Sequence, residues 1–295
     1  MQGTLRRSIG TSTPMAWLVA CAALLPPAAP LGAAGTPARI VSLNMCTDEL
    51  VLQLADRANI ASVTWLSQDV RAANVAHLAA GVAVNHGLAE EVIPLSPDLV
   101  VAGTYTTRTA VAMLKQTHSA VVEFGVPADL AAVRAQIREM AKLLNETARG
   151  ELLVADMDRR LEAASAKAPA RRPTALVFNP NGFTVGAGTL VDDVLSRAGL
   201  DNAAARMDLG NYSQVPLETV VRSQVDMLIV SASRDGPPSL ATEVLQHPVL
   251  AMLEPRTKIV VLPSRLWSCG GPEVVEAIAR LRQVAAGIEP RMAGQ

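Results

Sequence analysis

Five aromatic side chains stand just after short apolar runs, in segments that read as loops: Trp65, Tyr105, Phe183, Tyr212 and Trp267. Aromatics are scarce, with three Trp, two Tyr and three Phe in 295 residues, and Phe124 and Phe178 fall inside the runs and read as core. Rings repeated at loop positions offer flat surfaces on which a large, partly apolar molecule can stack. Trp65 and Trp267 are the foremost candidates for such contacts. Polar groups accompany the rings. Asn44, Asn179 and Asn181 end or follow two of the runs, and Arg108 follows Tyr105 in Gly103-Thr-Tyr-Thr-Thr-Arg108. An arginine in a cleft pairs with a carboxylate or phosphate; a solvated surface arginine is the equal alternative. His86, in Val84-Asn-His-Gly87, can line a site or ligate cobalt, iron or zinc, lining being the plainer reading. No resident metal is assigned.

Two cysteines follow predicted strands, Cys46 in Asn44-Met-Cys-Thr-Asp48 and Cys269 in Trp267-Ser-Cys-Gly-Gly-Pro272. In an oxidising compartment they can bridge if their Cα atoms come within about 7 Å. They can also touch a ligand metal, or pack unbridged at loop bases, which is the preferred reading. Enzymatic motifs are missing. Gly186-Ala-Gly188 lacks the third glycine of a dinucleotide fingerprint, Val191 standing in its place, and reads as a helix-entry turn. No phosphate loop, His-Glu-x-x-His pair or nucleophile elbow occurs. No catalytic residue or cofactor is therefore assigned. An exported α/β hydrolase, detectable by esterase or phosphatase turnover, is the alternative of a different class.

The elements that must position these residues alternate. Candidate strands at Ile60–Thr64, Ala120–Phe124 and Lys258–Leu262 are interleaved with helical patterns, which favours mostly parallel sheets. Two halves match. Arg39-Ile-Val-Ser-Leu-Asn44 and Thr174-Ala-Leu-Val-Phe-Asn179 each end a β-rich run in asparagine. Glu90 precedes Asp98-Leu-Val-Val-Ala102 by eight residues, as Glu218 precedes Asp226-Met-Leu-Ile-Val230. Between the halves, Asn145 to Lys167 lacks proline and puts Leu153, Met157, Leu161 and Ala164 on one helical face, with Asn145 as the expected N-cap. The expected fold is thus α/β: two Rossmann-like lobes, 35–144 and 169–295, joined by one long helix over 145–168.

Composition supports a soluble globular chain. Half the residues are apolar, 18% are charged and the formal net charge is −1, so a nucleic-acid partner is not expected. Residues 1–34 read as an export signal: Arg6 and Arg7, an apolar run from Met15 to Leu25, then Gly32-Ala33-Ala34 with cleavage near Ala34. Leu18-Val19-Ala20-Cys21 offers the alternative of lipoprotein processing at Cys21. The expected location is the periplasm.

Taken together, the opening Arg39–Asn44 run, Glu90 through Pro97-Asp98-Leu99-Val100 and the linking helix resemble the helical-backbone class of periplasmic binding proteins, which serve iron-complex and vitamin B12 importers. The resemblance spans about Arg39 to Ala285. It implies a monomer that takes a ferric siderophore or cobalamin, or else haem or a metal, into a cleft between lobes that close only modestly. It implies as partners an inner-membrane ABC permease and its ATPase subunit. By motif position, it also implies that Glu90 and Glu218 dock onto permease arginines. The bland reading is that both simply solvate a helix start. A scaffold or sensor reusing the fold is a further alternative.

Overall fold

The computed structural model describes residues 3, 36–164, 171–207, 209–231, 239–253 and 256–288. The signal segment, the expected cleavage site and Cys21 lie outside the described residues, Gly3 apart.

The first lobe holds five parallel strands: β1 (Ile40–Ser42), β2 (Ile60–Thr64), β3 (Val84–Asn85), β4 (Leu99–Gly103) and β5 (Ala120–Phe124), in the order β3-β2-β1-β4-β5. Helices α1 (Met45–Leu54), α2 (Ala89–Val92), α3 (Arg108–Leu114) and α4 (Leu130–Leu143) connect and flank them. Every residue of β1 and β4 is buried, as expected of central strands covered on both faces. The edge strand β5 buries only Phe124.

The connector is α5 (Thr147–Ala163). The second lobe follows with β6 (Thr174–Phe178), β7 (Phe183–Val185), α6 (Leu190–Arg197), β8 (Asp201–Asn202), β9 (Tyr212–Gln214), α7 (Leu217–Arg222), β10 (Met227–Val230), α8 (Leu240–Glu243), α9 (Pro248–Ala251), β11 (Lys258–Val261) and α10 (Val274–Ala286). Its main sheet is parallel, in the order β11-β10-β6-β8. β7 and β9 form a separate antiparallel ribbon with Val185 opposite Tyr212.

The duplication has a shared hydrogen-bonding device. The Asp98 carboxylate, just before β4, accepts the Ala38 and Arg39 amides ahead of β1 at 2.8 and 3.1 Å. The Asp226 carboxylate, just before β10, accepts the Thr174 amide at the head of β6 at 2.8 Å. Each lobe thus fastens the start of its first strand to the start of the neighbouring parallel strand.

Asn145 does not cap the connector. Its φ of 59° is left-handed, a conformation asparagine tolerates, and it ends α4 instead. Its amide donates to Thr36 at 2.9 Å. α5 has 17 residues, a rod of about 25 Å, shorter than the pattern suggested; residues 165–170 lie outside the described ones. It packs on α4 of the first lobe and on α10 of the second. From α10, Arg282 donates to the carbonyl of Ala164 at 2.6 Å, satisfying one of the orphan acceptors at the C-terminal end of α5. One apolar core runs unbroken through β1, β4, α4, α5, β6, α6 and α10. The lobes are therefore fused along one side and separated only along the other.

Candidate functional site

In an open parallel sheet, loops diverge where the strand order reverses, and the gap between them collects ligands. In the first lobe that point lies between β1 and β4. There Gly103 ends β4 against Asn44: a Cβ on Gly103 would lie 2.8 Å from the Asn44 Cγ, so a larger residue would displace the Asn44 side chain. Asn44 caps α1, its Oδ1 accepting the Cys46 amide at 3.0 Å.

These two loops form one wall of a cleft of about 410 Å³, also lined by Tyr105, Phe124, Val126, Pro127 and Gln136. The second lobe supplies Phe183 and Tyr212 from the β7–β9 ribbon, with Ser268 and Gly270. Two adjoining pockets share Val126 and Tyr212 with it. One runs under Phe183 toward Asn179 and Trp267, the other toward Ala128, Thr189 and Asn211. Among the described residues, no charged side chain lines any of the three. Both tyrosines of the protein face this space, with Tyr105 78% and Tyr212 56% exposed. Partial burial, and secondarily the nearby Tyr105, push the Tyr212 phenol above its ordinary pKa. It stays a protonated donor at neutral pH. The buried Oδ1 of Asn179, a residue lining the second pocket, has no partner among the described residues.

The cleft brings together Asn44, Tyr105, Asn179 and Phe183 of the residues singled out from sequence. Trp267 lines the second pocket but is 3% exposed and belongs to the core. Asn181 is an exposed turn residue with φ 57°, and Arg108 is exposed at the start of α3; neither lines the cleft. Trp65 and His86 form their own cluster beyond β2 and β3. Their rings lie 6.3 Å apart, Trp65 is half exposed, and His86 Nδ1 pairs with Glu91 at 2.9 Å. The cluster lies at the sheet edge that carries the cleft loops but outside the three pockets. Glu90 and Glu218 are exposed in the first turns of α2 and α7. Neither forms an ion pair among the described residues.

Below the cleft, the segment after β11 meets the first lobe. Cys46 and Cys269 are joined by a disulfide with Cα atoms 4.9 Å apart. Asn74 donates to the Arg265 carbonyl at 2.7 Å and accepts from the Arg265 guanidinium at 2.8 Å. The Asn74 backbone amide donates to Glu49 at 2.8 Å. Burial, the largest influence, pushes the Glu49 carboxyl up to about 7; the Asn74 amide opposes this, and Glu273 across the contact adds to it. Burial also raises Glu273 and Asp48. The buried Asp48 carboxylate accepts from the Thr64 amide at 3.0 Å and from the Ser67 hydroxyl, fixing α1 to the loop after β2. Sequence reading placed Tyr212 among the loop aromatics without ranking it with Trp65 and Trp267, and it missed this buried polar group entirely. Its members come from positions as far apart as 49 and 273, and nothing local announces their meeting.

Known proteins share this architecture. The curated cobalamin-binding protein of Halobacterium salinarum is 25% identical over 203 residues, which is 68% of this chain and 55% of that protein. The chain thus spans about half the length of the curated relatives it matches. The apo structure of the periplasmic heme-binding protein RhuT from Roseiflexus sp. RS-1 superposes with a TM-score of 0.69 at 22% identity, over 85% of this chain and 98% of that one. The periplasmic vitamin B12 binding protein BtuF of Vibrio cholerae does so with a TM-score of 0.65 at 18% identity, over 85% and 98%. At such identities the superpositions speak for a common fold. The family model for periplasmic binding proteins matches residues 40–258, from the first strand of one lobe to the last strand of the other. With most of the sequence matched and two parallel-sheet lobes fused beside an open cleft, the chain belongs to the periplasmic binding protein family.

Proposed function

We propose that this protein is the ligand-capturing component of an ABC importer and holds a corrinoid such as cobalamin in its inter-lobe cleft. The observation that carries this reading is the uncharged cleft walled by Tyr105 from one lobe and by Phe183 and Tyr212 from the other. A large macrocycle with amide substituents needs flat apolar contact together with neutral donors and acceptors, which the protonated Tyr212 phenol and Asn179 supply. A polyanionic siderophore would instead call for arginines in the walls. The chain itself performs no chemistry; ATP hydrolysis belongs to a partner subunit. Glu90 and Glu218, one at an exposed helix start in each lobe, fix the orientation on a permease through charge complementarity. Delivery takes place in the periplasm. The cobalamin-binding relative from Halobacterium supports the ligand class.

Titration with cyanocobalamin, followed by tryptophan quenching and visible absorbance, tests the reading. Binding tighter than about 10 μM, roughly −7 kcal/mol, is expected. Tyr105→Ala and Tyr212→Ala should each weaken it by about 2 kcal/mol, roughly 30-fold. Absence of binding, or full affinity in both variants, would refute it. One observation favours a second reading, haem. His86 pairs its Nδ1 with Glu91, the arrangement that orients a metal-ligating imidazole, and its ring lies 6.3 Å from that of Trp65. A Soret shift on hemin addition that His86→Ala abolishes would decide for haem.

A further inference from the structure

The junction beneath the cleft joins residues 223 positions apart by a covalent bond, although the lobes are already fused through α5 and the shared core. Three observations give this bond a role of its own. The two half-cystines differ in exposure: Cys46 is part-exposed and lines the cleft, whereas Cys269 is buried. Reagents therefore approach through the ligand's own space. The surrounding contact is close: a Cβ on Gly270 would lie 2.1 Å from the Pro127 Cγ of the other lobe. Finally, the side chains there work partly against one another. Asn74 and Arg265 hold the lobes together, but the Glu49 and Glu273 carboxylates both converge on Gly271, at 3.6 and 2.8 Å from where its Cβ would stand. The Glu273 Oε2 has no partner among the described residues. Like groups buried together oppose the contact that the disulfide enforces.

We propose that the Cys46–Cys269 disulfide is a redox-sensitive clasp at the floor of the cleft, which sets the lobe separation that a ligand meets and is shielded from reduction when a ligand is bound. The shielding half rests on the proposed ligand cleft; the clasp half does not. The chemistry is thiol–disulfide exchange with a dithiol. One thiolate attacks the Cys46 sulfur and the S–S bond breaks, expelling Cys269 as a thiolate that takes up a proton. The second thiol of the reductant then displaces Cys46, leaving two protein thiols and a cyclic or protein disulfide on the reductant. Two electrons and two protons pass from dithiol to protein. With the clasp open, the segment 264–273 is free to draw back from α1, and Tyr105 no longer faces Phe183 and Tyr212 at a fixed distance.

Dithiothreitol reduction of the whole mature protein, sampled with a mass-tagged maleimide, gives the rate of opening with and without cyanocobalamin. Hydrogen exchange compares the oxidised and reduced forms, and the Cys46→Ser/Cys269→Ser double variant repeats the comparison without reductant. The expected results are at least about 10-fold slower reduction with saturating cyanocobalamin, about 10-fold weaker cyanocobalamin binding by the reduced form, and faster exchange in Met45–Leu54 and Ser264–Leu266 in both the reduced protein and the variant. Unchanged exchange and unchanged affinity after reduction would overturn the clasp and leave the proposed function standing. If cyanocobalamin binds neither form, the proposed ligand falls and exchange alone decides the clasp. If it binds without slowing reduction, the shielding half is wrong.

Discussion

Replacing Glu49 with glutamine should make the protein more stable at alkaline pH, because this carboxyl is buried where ionisation is costly. Glu49 lies on α1 with 1% of its surface exposed, and its pKa is pushed from 4.5 up to about 7. Between those values the folded carboxyl keeps its proton while the unfolded one has released it. Stability from this group is therefore fully present below about pH 4.5, declines as pH rises through that window and levels off above about 7. At about 1.4 kcal/mol per pH unit, the gap amounts to about 3 kcal/mol. Glu273 and Asp48 are raised as well and add slope of the same sign. A glutamine keeps an acceptor for the Asn74 amide and can turn its NH₂ toward Glu273. Urea unfolding followed by tryptophan fluorescence, at pH steps from 4.5 to 8.5, reads the effect. The wild-type midpoint should fall with pH, and Glu49→Gln should lose part of that fall and exceed wild type at pH 8. A wild-type midpoint that climbs from pH 5 to 7, or a variant with the full wild-type slope, would refute the reasoning.

Other outcomes follow from the same geometry. Gly270→Ala drives a methyl into Pro127 and should cost about 1–3 kcal/mol by overpacking, measured as a lower urea midpoint together with weaker cyanocobalamin binding. Glu90→Ala combined with Glu218→Ala should leave cyanocobalamin affinity unchanged while reducing uptake in a reconstituted importer, most clearly at low salt. Removing the disulfide releases a closed loop of 223 residues, and chain entropy sets the resulting loss of stability at about 5 kcal/mol; calorimetry of oxidised and reduced protein measures it.

Much of the framework was legible because its strands are short runs rich in β-branched and other apolar residues, whether central or at an edge. Ile60–Thr64 and Ala120–Phe124 have the bounds read from sequence, and Lys258–Leu262 differs by one residue. The repeated Glu-to-Asp spacing marked α2 with β4 and α7 with β10 because each aspartate has a structural duty at its strand head. Asn145 misled because asparagine suits both an N-cap and a left-handed helix end, and a three-residue link between α4 and α5 leaves both open. The β7–β9 ribbon escaped notice since three-residue strands carry no periodicity and their pairing is non-local. That omission hid the company of Tyr212. Trp267 follows a strand as read, but it is largely buried in the apolar core while still lining the second pocket.

The unbroken apolar core has a consequence for how the chain acquires its shape. Neither half can complete its interior without the other, since α4, α5 and α10 are each apolar on the face they share. Heating should therefore give one calorimetric transition for both halves. A fragment ending before the connector would leave the inner faces of α4 and the first sheet wet, and would associate with other copies instead of standing alone.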